Sequence, residues 1–142
     1  MILYVYALLV SFLWGAIPII YNVILKKLNN ITVMAITTIF YSIFLLFLVF
    51  YNRKVVIEDL NKITNHDYLW LFIAAFFGVF IGNILYYYVL KYGETAVLTA
   101  LMYTAPIFTF IGAYFILKDK ITPLAITGIF LIVAGVLCIC LK

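Results

Sequence analysis

Charged residues are scarce in this sequence. Of its 142 residues, only 10% are Asp, Glu, Lys or Arg, whereas 69% are hydrophobic, and the mean hydropathy is +1.28. A water-soluble domain is about one quarter charged and about one half apolar, so this composition indicates a protein of the lipid bilayer. The nine basic residues form no patch beside base-reading side chains, so we expect no nucleic-acid partner.

Residues that commonly bind metals or perform catalysis are also few. The single histidine, His66, has no cysteine at a metal-ligand spacing, and we interpret Cys138 and Cys140 as small packing residues. The sequence contains no glycine-rich phosphate loop and no set of Ser, His and Asp with the spacing of a known catalytic motif. We therefore expect no enzyme activity, no metal and no other cofactor.

Five apolar stretches are long enough to cross a membrane. A hydrocarbon core about 30 Å thick requires roughly 20 helical residues, and within it every backbone amide must be paired inside the helix. Short connections make consecutive helices neighbours. The sequence thus predicts an all-α, polytopic membrane protein, a bundle of five transmembrane helices in a single domain over residues 1–142. The predicted spans are residues 2–24, 31–51, 68–90, 94–117 and 121–141.

The first span and the longest connection each allow a further expectation. The first span has no basic leader and is longer than the core of a signal peptide, so we expect it to be retained. In the connection 52–67, Val56, Leu60 and Ile63 recur at helical spacing beside charged residues. That pattern fits a short helix on the membrane surface, and a solvated loop fits equally well.

Basic residues hardly distinguish the two sides of the membrane. Positive charges usually mark the cytoplasmic side, and five crossings place the chain ends on opposite sides. A chain this balanced can insert in both directions, and two copies would then pair as an inverted dimer. The amino-terminal side carries five basic residues, Arg53, Lys54, Lys62, Lys118 and Lys120, and the other side four, Lys26, Lys27, Lys91 and Lys142.

Polar and helix-breaking residues within the spans are the best indicators of a site, because they should face protein or a water-filled cavity. In the fourth span, Thr95, Thr99 and Tyr103 share one face of the helix. Pro106 continues roughly that face and predicts a kink, because it removes a backbone hydrogen bond. A hydroxyl-lined contact between helices is the alternative interpretation of this stripe.

The other spans add further polar positions. In the first span, Ser11, Trp14 and Pro18 lie along one side with Gly15 beside them, and Trp14 is near the middle, where its indole N–H needs an acceptor. In the third, Asn83 lies one turn before Tyr87 and could bind substrate or another helix. The candidate residues of a substrate cavity are therefore Ser11, Trp14, Asn83, Thr99, Tyr103 and Pro106.

Glycines, further hydroxyl residues and a run of tyrosines within the spans also have expected roles. Gly78 and Gly82 are expected to allow close helix approach. The hydroxyl residues of the second span, among them Thr37, Thr38 and Ser42, could complete the cavity or bond their own helix backbone. The three consecutive tyrosines that begin at Tyr86 are interpreted as part of an aromatic belt at the membrane interface.

Several short motifs run in order along the chain. They are FLWG at 12–15, YVLKYGETA at 88–96, TAPIF at 104–108, LKDKITP at 117–123 and GIFLIVAGV at 128–136. With this order, this spacing and five spans, the sequence resembles the EamA-type domain of the drug/metabolite transporter superfamily over nearly its whole length. Each motif by itself consists of common membrane residues, so the resemblance depends on the set.

The resemblance implies a multi-pass transporter of small organic metabolites, and we expect it in the cell membrane. Most members contain two five-span domains of opposite orientation. This single domain therefore implies a partner, either a second copy of itself in a parallel or antiparallel homodimer or a second half-transporter. Two positions depart from the family pattern: Ala105 precedes Pro106 where many members have Glu, and Lys118–Asp119 replaces the usual Gly-Glu. The essential first-span glutamate of the four-span multidrug relatives has no counterpart here.

Three functions compete at this point. The leading hypothesis is alternating-access transport of a neutral or zwitterionic metabolite, because the candidate cavity offers hydroxyl, amide and aromatic groups. The first alternative is a non-transporting membrane subunit that uses the same surfaces for helix packing. The second is a multidrug exporter of cations, which the absence of a carboxylate from the middle of every span disfavours.

Overall fold

The computed structural model describes residues 2–118 and 122–141, and these residues form helices and no strands. The α-helices are α1 (Ile2–Leu25), α2 (Asn30–Tyr51), α3 (Arg53–Leu60), α4 (Asn65–Ile73), α5 (Gly82–Tyr92), α6 (Thr95–Met102), α7 (Ala105–Gly112) and α8 (Pro123–Cys140). Two π-helical segments accompany them: Ala74–Ile81 joins α4 to α5, and Ala113–Leu117 extends α7.

Five helical stretches of the described chain are long and apolar enough to span a membrane, as the sequence predicts. Their ends differ from the predicted ends by no more than three residues. The predicted start of the last span, Ile121, lies outside the described residues. In the connection 52–67 the helix is confirmed, because α3 occupies half of that segment. The observed spans are Ile2–Leu25, Asn30–Tyr51, Asn65–Tyr92, Thr95–Leu117 and Pro123–Cys140.

Side chains that cap helix N-termini explain why the spans begin where they do. The side chain of Asn29 accepts a hydrogen bond from the backbone N–H of Ile31, at 2.9 Å, just before the second span. Thr64 and Asp67 form a reciprocal capping box at the third span. Thr122 caps the last span, with proline at its first position. Each cap satisfies backbone N–H groups that have no partner within the helix.

The helices separate into two compact units. In the unit of residues 20–92, α2 packs against α5. Its core contains four residues that are almost fully buried, and Tyr21, Met34 and Tyr86 pack around them; the four are Leu25, Val33, Tyr87 and Leu90.

The second unit consists of residues 1–19 and 93–142. Here α6 packs against α8, and Val136 of α8 is buried. The amino-terminal part of α1 belongs to this unit, and it contains Ser11, Trp14 and Gly15. Five of the six candidate cavity residues thus belong to this unit, and the sixth, Asn83, belongs to the other.

Candidate functional site

The fourth span is interrupted next to its proline. α6 ends at Met102, Tyr103 and Thr104 form a turn, and α7 begins at Ala105. Pro106 has no backbone N–H, so it cannot donate to the carbonyl of Met102, four residues earlier. The kink predicted at this proline is confirmed as a two-residue break in the helix.

Local hydrogen bonds hold this break. The backbone N–H of Tyr103 donates to the carbonyl of Thr99 at 3.1 Å, which closes the last turn of α6. The Thr104 hydroxyl donates to the carbonyl of Leu101 at 2.8 Å. Most backbone groups freed by the break therefore find partners nearby, as they must inside a membrane.

The hydroxyl of Thr99 is the unusual group in α6. Its oxygen has no exposed surface, and it has no hydrogen-bond partner among the described residues. A threonine in a helix can usually donate to the carbonyl four residues earlier, and Thr109 does so toward Ala105, at 3.3 Å. Thr99 is thus a buried polar group with unused hydrogen-bonding capacity.

Tyr103 lies one turn after Thr99, and its hydroxyl contacts α1. A Cβ atom added to Gly15 would lie 3.8 Å from the Tyr103 hydroxyl, which is an ordinary van der Waals distance, so the hydroxyl lies close to α1 without requiring a glycine there. The Tyr103 side chain remains 40% exposed. Ser11 lies four residues before Gly15 and therefore on the same side of α1. The structure thus places Tyr103 next to the polar side of α1.

The remaining candidates on these elements differ in exposure. Trp14 is 69% exposed, and Pro18 of the same helix is buried. Ser11 and Pro106 are both exposed. Among the described residues, the Trp14 indole N–H has no acceptor, so the acceptor that the sequence requires is not supplied by this part of the chain.

Asn83 lies in the other unit, in the first turn of α5, and is half-buried. The two glycines near it do not serve as contact points within the described chain. A Cβ atom at Gly78 would meet nothing within 4 Å, and at Gly82 it would lie 3.5 Å from the carbonyl oxygen of Phe77 in its own span. The close helix approach expected at these glycines is therefore absent from the described residues.

A cluster of tyrosines in residues 20–92 is the feature that sequence reasoning missed. The ring of Tyr21 meets the ring of Tyr87 edge-on, with centroids 4.9 Å apart, and that of Tyr86 at 6.1 Å. Tyr87 is only 4% exposed, whereas Tyr88 is exposed. The aromatic-belt interpretation therefore suits Tyr88 and is wrong for Tyr87. No local sequence pattern indicates a role for Tyr21, because its partners Tyr86 and Tyr87 belong to α5, which is far from it in the sequence.

The groups that these elements offer are hydroxyls, aromatic rings and an amide. Among residues 2–118 and 122–141, no three His, Cys, Asp or Glu side chains lie close enough together to bind a metal ion. The described chain buries no charged side chain. Hydroxyl and amide groups of this kind can form hydrogen bonds with a solute.

The comparison with known families decides the identity. The sequence matches the family of EamA-like transporters over residues 1–141. The chain belongs to this family. It is accordingly an integral, multi-pass membrane transporter of the drug/metabolite superfamily, a class of transporters and not of enzymes. No curated protein and no solved structure matches the chain.

In this EamA-like protein, the end of the fourth span carries one of the departures from the family pattern. Lys118 has φ 55° and ψ 34°, in the left-handed region, and it ends the helix there. Glycine adopts this conformation without steric strain, whereas a residue with a Cβ atom does not. A glycine at this position, as the resemblance leads us to expect, would adopt the conformation of Lys118 without strain. Asp119 lies outside the described residues.

Proposed function

We propose that this EamA-like protein carries a small neutral or zwitterionic metabolite across the membrane by alternating access. The observation that carries the proposal is the buried, unpartnered hydroxyl of Thr99. A buried polar group without a partner costs about 1–3 kcal/mol, and a solute that supplies a donor or acceptor would recover this free energy. The proposed path is lined by residues of the unit that contains Thr99, namely Ser11, Trp14, Thr99, Tyr103 and Pro106, and Asn83 of the other unit is a separate candidate for binding the solute.

The break in the fourth span supports a site at this depth. Transporters commonly bind their solutes where a membrane helix is discontinuous, because backbone groups freed there can bind the solute. In this chain, Thr99 precedes the break, Tyr103 is its first residue and Pro106 follows it. The carbonyl of Met102 loses its helical partner at the proline and becomes an additional acceptor for a solute N–H or O–H.

The preference for an uncharged or zwitterionic solute follows from the charges. The five spans contain no Lys, Arg, Asp or Glu near their middle. A strongly charged solute would lose its hydration there without meeting a counter-charge, at a large cost in free energy. Hydroxyl and amide groups can bind a polar solute without that penalty.

A second copy of the domain, inverted in the membrane, is the proposed partner. Thr38 and Ser42 lie four residues apart on an exposed side of α2, and Gly78 has open space in front of it. Small and hydroxyl residues of this kind favour contacts between membrane helices. The near balance of basic residues across the membrane, five against four, supports insertion in both directions.

A counterflow assay tests the transport function. Proteoliposomes that contain the purified chain are loaded with an unlabelled amino acid, nucleoside, amine or sugar-like solute. Uptake of the same solute in labelled form from outside is then measured. We expect Thr99→Val to reduce uptake roughly tenfold, because the solute loses a hydrogen bond in a buried site. Thr109→Val is the matched control, because that hydroxyl bonds its own helix and is exposed. If no solute is moved, transport of a metabolite is rejected.

Cysteine labelling distinguishes this proposal from a non-transporting subunit. In a background with Cys138 and Cys140 replaced by alanine, single cysteines are placed at Thr99, at Tyr103 and, as a control, at the exposed Phe130 of α8. A water-soluble maleimide in native membranes should label the first two positions and not the third. Labelling of none of the three would favour the subunit.

The inverted dimer needs its own experiment. Reporters of sidedness on both chain ends should give two populations of equal size if copies insert in both directions. A single orientation would overturn the inverted homodimer and would point to a different half-transporter as the partner.

A further inference from the structure

An apolar groove lies where α2, the second span, meets the short helix α3, within residues 20–92. It has a volume of about 600 Å³, and Arg53 is the single charged residue in its wall. Three apolar residues from each helix line it: Leu46, Val49 and Phe50 from α2, and Val56, Ile57 and Leu60 from α3.

Hydrogen bonds at a single residue connect the two helices that line the groove. Asn52 alone separates α2 from α3, and it serves as the cap of both. Its side-chain amide and its backbone N–H both bond the carbonyl of Leu48, at 3.0 Å each. The backbone N–H of Val56 in turn donates to the carbonyl of Asn52, at 3.2 Å. These bonds connect the last turn of α2 directly to the first turn of α3, and most of the apolar residues in the groove wall remain exposed.

The groove runs from the membrane surface toward the hydrocarbon core. Arg53 lies two residues beyond the end of the second span, so it is at the surface. Leu46 lies five residues before that end, which is about 7 Å deeper along the helix. A ligand that fills the groove would thus place its apolar part beside Leu46 and its polar part beside Arg53.

Charge favours an anionic group at the surface end. The Arg53 side chain has no hydrogen-bond or ion-pair partner among the described residues. Lys54 follows it directly, whereas the carboxylates of α3 come more than one turn later, and Asp59 is already paired with Lys62 at 3.2 Å. A free guanidinium binds a phosphate through two parallel hydrogen bonds.

We propose that this groove binds an anionic phospholipid, with its phosphate on Arg53 and one acyl chain along the apolar residues of α2 and α3. An apolar channel with a cationic mouth at the membrane surface matches the two parts of such a lipid. The site is separate from the proposed transport path, because none of its residues belongs to that path. The lipid would fix the position of α3 against α2.

Lipid retention tests the site in the full chain. The protein in detergent micelles is incubated with dioleoylphosphatidylglycerol or dioleoylphosphatidylcholine, and the lipid that remains after gel filtration is quantified. We expect retention of the anionic lipid to exceed that of the zwitterionic one by roughly tenfold. Arg53→Gln should remove this preference, and Lys54→Gln should preserve it, because Lys54 does not line the groove. Equal retention of both lipids by the wild type would overturn the proposal, as would equal losses in the two variants.

A second arm tests the groove itself. Val56→Trp should fill it and lower the retention of both lipids, and Leu60→Trp provides the same test if the first variant is not monodisperse. Soluble glycerophosphoglycerol should not compete, because it has no acyl chain. Effective competition by it would reduce the site to a headgroup contact and overturn the role of the groove. If filling the groove changed the size of the protein assembly but not lipid retention, a second copy of the chain would be the occupant and the lipid site would be rejected.

Discussion

Asn22 of α1 donates a 2.9 Å hydrogen bond from its side-chain amide to the carbonyl of Leu90 in α5. The last carbonyls of a helix have no partner within it, and α5 ends only two residues later, at Tyr92. A second bond runs in the opposite direction, from the ammonium of Lys91 to the carbonyl of Leu28, at 3.4 Å. The two bonds tie the end of the first span to the end of the third.

Replacing Asn22 should destabilise the protein. In Asn22→Leu, the Leu90 carbonyl loses its donor in a partly buried position, and we expect the free energy of unfolding to fall by about 1 kcal/mol. Unfolding in mixed micelles with increasing SDS measures this change. Asn61→Leu is the control, because Asn61 is exposed at the end of α3. A control variant that lost as much stability would contradict a specific role for the bond.

The helix end at Lys118 should tolerate glycine better than any other residue. Its left-handed conformation costs about 1–2 kcal/mol for a residue with a Cβ atom and almost nothing for glycine. Lys118→Gly should therefore raise the free energy of unfolding by about 1 kcal/mol, and Lys118→Ala, which keeps the Cβ atom, should not. The same unfolding assay applies. Equal stabilities of the glycine and alanine variants would show that the conformation carries no strain.

The capping box at the start of the third span should contribute to stability through the Thr64 hydroxyl. That hydroxyl accepts from the backbone N–H of Asp67 at 3.3 Å, and the Asp67 carboxylate accepts from the backbone N–H of Thr64 at 2.9 Å. Thr64→Ala should lower the free energy of unfolding by about 1 kcal/mol, whereas Thr64→Ser keeps the oxygen and should lower it much less. If serine proved as unfavourable as alanine, the methyl group and not the cap would be responsible.

The interior of the candidate site was only partly predictable. The stripe of Thr95, Thr99 and Tyr103 and the effect of Pro106 could be predicted, because spacing along one helix fixes which residues share a side and proline has a fixed chemistry. The absence of a hydrogen-bond partner for the Thr99 hydroxyl among the described residues could not be predicted, because it depends on which atoms of other helices come close. The exposure of Trp14 could not be predicted either, since most of the surface of its helix is apolar and does not show which side is packed.

The five crossings follow from the sequence alone, because lipid cannot hydrogen-bond a peptide group and each apolar stretch must therefore satisfy its own backbone as a helix. The ends of the spans follow in the same way from caps, proline and charged residues. Only the tertiary structure decided which polar groups meet. Asn22 and Leu90 are 68 residues apart in the chain, and a helix that is apolar on all sides carries no local pattern that selects its neighbour.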